Sequence, residues 1–378
     1  MFGVPGDPIP LEGEPMKSPY PYAGGKGTIA PLIWERLGNV ACFCEPFLGS
    51  MATLLARPEE HKPYDIEIAG DANAFIVNFW RAVQANPEKV AHYADHPVWE
   101  ADMHARHRWL IAQGLPNAEF KEKMIADPDY YDAKIAGWWL WGQCIWIGSS
   151  WCNVESAEHK MNKRPSIQES LVVTSQQIPE IPELTRERGG LSTKRPHLTH
   201  NSSGVIRLKQ PVPSLTSQTG AIHEGVYETM NALCERIKHV KLLCGDWSRC
   251  VSPGILNEYT EGNQVTGIIL DPPYSHELRD KHLYAVDSAT VAATAASWAR
   301  ERERDRNLRI VFCGYSDETM SEHEFPGWDT VKWKATGGYG NQKKKGKNEN
   351  RFKETLWFSP NCLKPAQMEL QMELQMEL

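Results

Sequence analysis

Gly267-Ile268-Ile269-Leu270-Asp271-Pro272-Pro273-Tyr274 is an apolar run that ends in a carboxylate, two prolines and an aromatic ring. Unbroken apolar residues over this length predict a central parallel strand, covered on both faces. In open α/β sheets ligands bind beyond the carboxyl ends of such strands, which puts Asp271 at a site. Pro272 and Pro273 lack N–H donors and stiffen the loop, leaving carbonyl oxygens beside the Asp271 carboxylate. Two neighbouring acceptors suit an exocyclic base amine, and Tyr274 offers a flat face to an extruded base, a contact worth about 1–3 kcal/mol. A plainer part also fits these residues: an N-cap Asp, a proline at the first helical position, and Tyr274 in the core. The rest of the chain decides between the two.

Working outward, Val240 to Asp246 and Leu308 to Gly314 predict further strands, with a helix near Thr290 to Glu301 before the last. Alternation over Thr330 to Lys334 and Glu354 to Phe358 predicts a hairpin closing the sheet edge. The front of the chain repeats the order strand, loop, helix. A glycine turn, Tyr22-Ala23-Gly24-Gly25-Lys26-Gly27, leads into a helix through Ile29, Leu32, Ile33 and Leu37. A strand over Val40 to Cys44 then delivers Glu45-Pro46-Phe47-Leu48-Gly49-Ser50 and a helix with Met51, Leu54 and Leu55; the next strand, Ile66 to Gly70, ends on Asp71 before a helix with Phe75, Ile76, Phe79 and Val83. The class is α/β, a parallel sheet in two halves. The expected boundaries are 1–81 for the first part of a catalytic domain, 82–222 for an inserted, mainly helical domain with a flexible Ser/Thr/Pro/Gly segment near 187–220, 223–362 for the second part, and 363–378 for a tail of Gln-Met-Glu-Leu repeats.

Composition sets the limits. A net charge of −7 over 378 residues excludes a strongly basic coat, so any nucleic-acid contact must come from local patches. Met1 to Pro21 lacks a basic stretch followed by an apolar one, and no eighteen consecutive residues are apolar, so an intracellular, cytoplasmic protein without membrane contact is expected. The nine cysteines lack Cys-x-x-Cys spacing and read as reduced, mostly buried thiols rather than metal ligands; no metal is expected. His92 with His96, and His104 with His107, could each share a helix face, but no third ligand accompanies either pair, and they read as surface or packing residues.

The strand ends fit one kind of small molecule. Gly24, Gly25 and Gly27 allow close backbone approach beside the Lys26 ammonium, which suits a carboxylate, and Gly49 allows it after Glu45. Asp71 can accept two ribose hydroxyls, and Asp246 an adenine amine with Trp247 packed nearby. An amino-acid carboxylate, a ribose and an adenine together describe S-adenosyl-L-methionine. Each acid taken singly also fits a cap or a surface turn.

With these residues in view, the chain resembles the Dam-type DNA adenine N6-methyltransferases. Tyr22-Ala23-Gly24-Gly25-Lys26 is similar to that family's Trp-Ala-Gly-Gly-Lys, Glu45-Pro46-Phe47-Leu48-Gly49-Ser50 to its cofactor loop, Asp71 to its ribose acid, Gly245-Asp246-Trp247 to its adenine-pocket segment, and Asp271-Pro272-Pro273-Tyr274 to its catalytic motif. The resemblance covers about Pro19 to Gln84 and Met230 to Pro360. It implies a Rossmann-like S-adenosylmethionine-dependent methyltransferase sheet, with the middle of the chain as an inserted target-recognition domain. It further implies that Asp271 and the Pro272 carbonyl accept from the target amine, that Tyr274 stacks on a flipped adenine, and that Lys26 and the Glu45–Ser50 loop flank the methionine part of the cofactor. Asp71 would hold its ribose and Asp246 its adenine, and the product would be S-adenosyl-L-homocysteine. Two departures stand out: Met51 replaces a second loop glycine, for which a wider turn or weaker affinity is expected, and Tyr22 replaces the family's Trp.

Duplex DNA is the expected partner, with single-stranded DNA or RNA as alternatives and a monomer favoured. Lys343, Lys344, Lys345, Lys347 and Arg351 form the strongest basic run and, with Lys163 and Arg164 of the insertion, are the candidate phosphate contacts; a solvated loop is the plain alternative. Trp138, Trp139, Trp141, Trp146 and Trp151 read mostly as packing. Cytosine N4 methylation uses the same amine chemistry, but its family more often has Ser in place of Asp271. RNA adenine methylation and an inactive nucleic-acid-binding protein are the remaining alternatives.

Overall fold

Strands form where short apolar runs are bounded by turn residues, and helices where apolar residues recur on one face. The computed structural model describes residues 16–22, 24–61, 66–114, 118–146, 151–152, 224–260, 264–273, 290–315, 325–333 and 354–364. In chain order these form α1 (Ala30–Leu37), β1 (Cys42–Glu45), α2 (Ala52–Leu55), β2 (Ile66–Asp71), α3 (Ala74–Ala85), α4 (Pro87–Ala94), α5 (Glu100–Gly114), α6 (Ala118–Ala126), α7 (Ala133–Ile145), α8 (Glu224–Ile237), β3 (Lys241–Cys244), α9 (Pro253–Thr260), β4 (Thr266–Leu270), α10 (Val291–Glu301), β5 (Leu308–Tyr315), β6 (Asp329–Lys332) and β7 (Glu354–Phe358). Asx caps start three of the helices: Asn73 accepts from the Phe75 N–H at 3.0 Å, Asn86 from Lys89 at 3.1 Å and Asp132 from Ile135 at 2.9 Å, each such cap worth about 1 kcal/mol.

The seven strands form one sheet in the order β3-β2-β1-β4-β5-β7-β6. The first five are parallel, and β7 runs antiparallel between β5 and β6, so the expected hairpin closes the edge with β6 outermost. Cys42 of β1 stands opposite Ile66 on one side and Thr266 on the other. The chain order reverses between β1 and β4, which makes their carboxyl ends the switch point where open sheets bind ligands. All five residues of β4 are buried, as its unbroken apolar run requires. Alternate residues face two cores: Phe43, Ala69, Ile269 and Val311 lie with α1, α3 and α8, whereas Cys44, Ile68, Ile268 and Ile310 lie with α10 and Cys250.

Helices α4 to α8 build outward from α3. Trp139 of α7 packs at 5.8 Å from the Phe79 ring of α3. Arg81 of α3 gathers the α6–α7 connection, donating to the carbonyls of Met124 and Asp127 at 3.0 Å and, through its other amino group, to Leu242 of β3 at 3.1 Å. Trp139, Trp141 and Trp151 are buried, Trp138 and Trp146 half-buried against the same core, so the tryptophans are packing. His107 stacks on Trp146 and Trp151, and His92 lies exposed on α4. All nine cysteines are free thiols; eight are buried and Cys234 is half-buried. Among the described residues no helix is long and apolar enough to cross a membrane. Ala23, Tyr274, Lys163, Arg164, the segment near 187–220, the basic run Lys343 to Arg351 and the repeated tail lie outside the described residues.

Candidate active site

Four carboxylates stand at the carboxyl ends of four adjacent strands: Glu45 ends β1, Asp71 ends β2, Asp246 follows β3, and Asp271 follows β4. Because the strands are neighbours, the acids line one edge, and a single pocket collects them. The glycine turn contributes Tyr22, Gly24, Gly25 and Lys26 to its wall, and the loop after β1 contributes Pro46, Phe47, Gly49 and Ser50. Trp247 and Pro273 complete the far side. Pro272 is buried beside the pocket. Thr53, Asn73 and Val291 also line it; sequence reading passed over them, although Asn73 was legible as the Asx cap two residues after Asp71.

Lys26 and Asp271 form a close ion pair. The ammonium donates to Oδ1 at 2.8 Å and Oδ2 at 2.7 Å of Asp271, and to the Gly24 carbonyl at 2.7 Å. Lys26 is 3% exposed and Asp271 24%. Burial works against the ammonium's charge, but the Asp271 carboxylate more than offsets this and holds the Lys26 pKa above the ordinary lysine value. The lysine expected to face a ligand carboxylate is thus engaged by the carboxylate at the end of β4.

The loop after β1 is held tightly. Leu48 donates its N–H to the Gly70 carbonyl at 2.8 Å, and Met51 closes a turn onto the Leu48 carbonyl at 2.7 Å. Gly49 has φ +44°, and a Cβ there would lie 2.7 Å from Cε1 of the Tyr22 ring, so the position needs glycine both for its backbone and for that close approach. Met51 sits at φ 56° and ψ 23°, in the left-handed region, with its side chain fully buried. The turn is closed rather than widened: the methionine adopts the backbone of a glycine. Met51→Gly would relieve a strain of roughly 1 kcal/mol but empty a core position worth about 2–5 kcal/mol. We expect a net loss of about 2–3 kcal/mol in urea denaturation; a more stable variant would mean that the strain outweighs the burial.

Burial pushes the Glu45 carboxyl up to about 8; the Leu54 N–H it accepts at 3.2 Å pulls the other way, and the Asp271 charge adds to the rise. Glu45 therefore carries a proton at neutral pH. Asp71 is pushed up to about 6 by burial, against the N–H groups of Asn73 at 2.8 Å on Oδ1 and Gly49 at 3.0 Å on Oδ2. Asp71 is thus held by backbone N–H groups of its own turn and of the loop after β1, and it lines the pocket. Asp246 is exposed and caps the turn over Trp247–Val251, its Oδ1 accepting from the N–H of Ser248 at 3.0 Å and the hydroxyl at 2.5 Å. The cap and the pocket wall are the same residue. Phe47 and Trp247 lie near-parallel with centroids 6.0 Å apart, a flat apolar wall beside that acid.

Glycines of the turn and the loop, the Asp71 carboxyl, an aromatic wall beside Asp246, and an ion-paired acid followed by two prolines thus gather around one pocket. Among the described residues, no three His, Cys, Asp or Glu side chains gather as a metal set. No curated protein matches the chain. Residues 22–133 match the family model described as D12 class N6 adenine-specific DNA methyltransferase, so the stretch carrying the glycine turn, the Glu45–Ser50 loop and Asp71 is similar to the Dam-type family.

Proposed function

We propose that the protein is a site-specific DNA adenine N6-methyltransferase that uses S-adenosyl-L-methionine and releases S-adenosyl-L-homocysteine. The observation that carries this reading is the assembly, along one sheet edge, of the Tyr22–Lys26 turn, the Glu45–Ser50 loop, Asp71, Asp246 with Trp247, and Asp271 with Pro273, in a chain whose residues 22–133 match a DNA adenine methyltransferase family.

The residues fit the cofactor. Gly24, Gly25 and Gly49 put backbone without side chains on the pocket wall; Asp71 offers acceptors to two ribose hydroxyls, and Phe47, Trp247 and Asp246 offer an apolar wall and an acceptor to an adenine. Bound there, S-adenosylmethionine supplies a methyl group on a positively charged sulfur. Asp271 and the Pro272 carbonyl orient the exocyclic amine of a flipped adenine, with Tyr274 stacked on the base. Lys26 keeps the Asp271 carboxylate in place with two short bonds, so the acid serves as a positioned acceptor, and the amine's proton leaves after transfer. Residues 82–222 are the target-recognition insertion; Lys163, Arg164, Lys343, Lys344, Lys345, Lys347 and Arg351 neutralise phosphates, which sets register without reading bases.

The test is to incubate the purified protein with methyl-labelled cofactor and, separately, mixed-sequence duplex DNA, single-stranded DNA and structured RNA, then digest and identify the labelled nucleoside. N6-methyldeoxyadenosine from duplex DNA is the expected product. N6-methyladenosine from RNA alone would move the activity to RNA, and N4-methyldeoxycytidine would overturn the base assignment.

A further inference from the structure

Gly49 is pinned on both sides of its α-carbon. Its N–H donates to Asp71 Oδ2 at 3.0 Å, while its carbonyl accepts from the Tyr20 hydroxyl at 2.7 Å and from Trp80 Nε1 at 3.4 Å. The Asp71 bond restrains rotation before the α-carbon and the Tyr20 bond rotation after it. Glycine has the most backbone freedom to lose, so an unpinned Gly49 would sample other conformations, and fixing a backbone costs about 1–2 kcal/mol per residue.

Tyr20 belongs neither to the sheet nor to the glycine turn. It lies ahead of that turn, 4% exposed, with its ring edge-on to Phe79 of α3 at 5.5 Å and to Trp139 of α7 at 5.0 Å. The Cys144 thiol of α7 reaches the neighbouring Pro19 carbonyl at 3.6 Å. Burial raises the phenol's pKa well above its ordinary value, so the hydroxyl stays a donor throughout the working pH range. The phenol is therefore held by the helical layer and spends its one O–H on a carbonyl of the loop that lines the pocket.

From this geometry we propose that Tyr20 is a positioning residue for ligand binding. Its hydroxyl fixes the left-handed Gly49 backbone, and through it the Gly49–Asp71 bond, before a ligand arrives. It couples α3 and α7 to the cofactor loop without touching the ligand. The inference rests on reading the pocket as a nucleoside-cofactor site, and the experiment separates the two.

S-adenosylhomocysteine is titrated calorimetrically into the wild-type protein and Tyr20→Phe, well below the unfolding midpoint of each; Phe keeps the ring packing and removes only the donor. Loss of one such bond is expected to weaken binding by about five- to tenfold, with kcat at saturating cofactor and KM for DNA unchanged. A lower unfolding midpoint with an unchanged dissociation constant would overturn the proposal, because that is what a merely structural hydroxyl gives. Amide exchange on the ligand-free proteins is the second measurement: faster exchange of the Gly49 amide in Tyr20→Phe, with β4 amides unchanged, is expected, and equal protection of Gly49 would also overturn it. If the wild-type protein binds no S-adenosylhomocysteine, the reading of the pocket fails, and the exchange result alone decides the role of Tyr20.

Discussion

Asp271→Asn should lower methyl transfer by about a thousandfold, or ~4 kcal/mol in the barrier, and also destabilise the fold. The second effect comes from Lys26: its ammonium is 3% exposed and makes two of its bonds to Asp271. Removing one member of a buried pair leaves an uncompensated charge, at a cost of about 3–5 kcal/mol. Asp271→Ala has the same defect, so a loss of activity in either variant is ambiguous by itself. The double variant Lys26→Met with Asp271→Asn resolves it, because it removes both charges; its denaturation midpoint should return most of the way to wild type while transfer stays at the single-variant level. Wild-type turnover in Asp271→Asn would exclude Asp271 from the chemistry. A double variant no more stable than the single one would mean that the ion pair is not the source of the instability.

Glu45→Gln should change how stability depends on pH. In the folded protein the Glu45 carboxyl titrates at about 8, against an ordinary value of 4.5. The native state therefore holds a proton that the unfolded chain has released, and the stability this represents is complete below about 4.5 and is lost as pH rises through 8. Gln keeps an acceptor for the Leu54 N–H and has no charge to bury. At pH 5 the two proteins should unfold at similar urea concentrations, and at pH 9 the variant should be the more stable by a few kcal/mol, since one pKa unit corresponds to about 1.4 kcal/mol. Asp71, raised to about 6, contributes a smaller loss of the same sign in both proteins, so the difference between the two curves isolates Glu45. Parallel curves would mean that Glu45 is ionised at little cost.

Much of this architecture was legible because the determining signals are local. An unbroken run such as Ile268-Ile269-Leu270 has one stable environment, a strand covered on both faces, and the acids that end β1 and β2 and follow β3 and β4 mark the edge where such strands end. Parts that depend on distant partners were not legible. Lys26 and Asp271 meet across 245 positions, and nothing near either residue announces the pair. Tyr20 owes its role to a carbonyl 29 residues away. Met51 reads as a helix-starting apolar residue, and only the closed Leu48–Met51 turn forces its backbone to be left-handed. Helices α4 to α6 were not resolved individually within the insertion, and α5 shows the reason: charged and polar residues surround most of it, so no apolar stripe marks the face it packs.

The central pairing of β1 with β4 sets a schedule for biosynthesis. Cys42 has its mate in Thr266, and at about 5–20 residues per second a ribosome needs on the order of ten seconds or more to connect them. Throughout that interval β1 has a partner on its β2 side only, and its other side is an open edge able to pair with a second nascent chain. The pocket inherits the same delay, since its ion pair waits for Asp271. During synthesis the chain is thus a half-sheet with one edge open until β4 emerges.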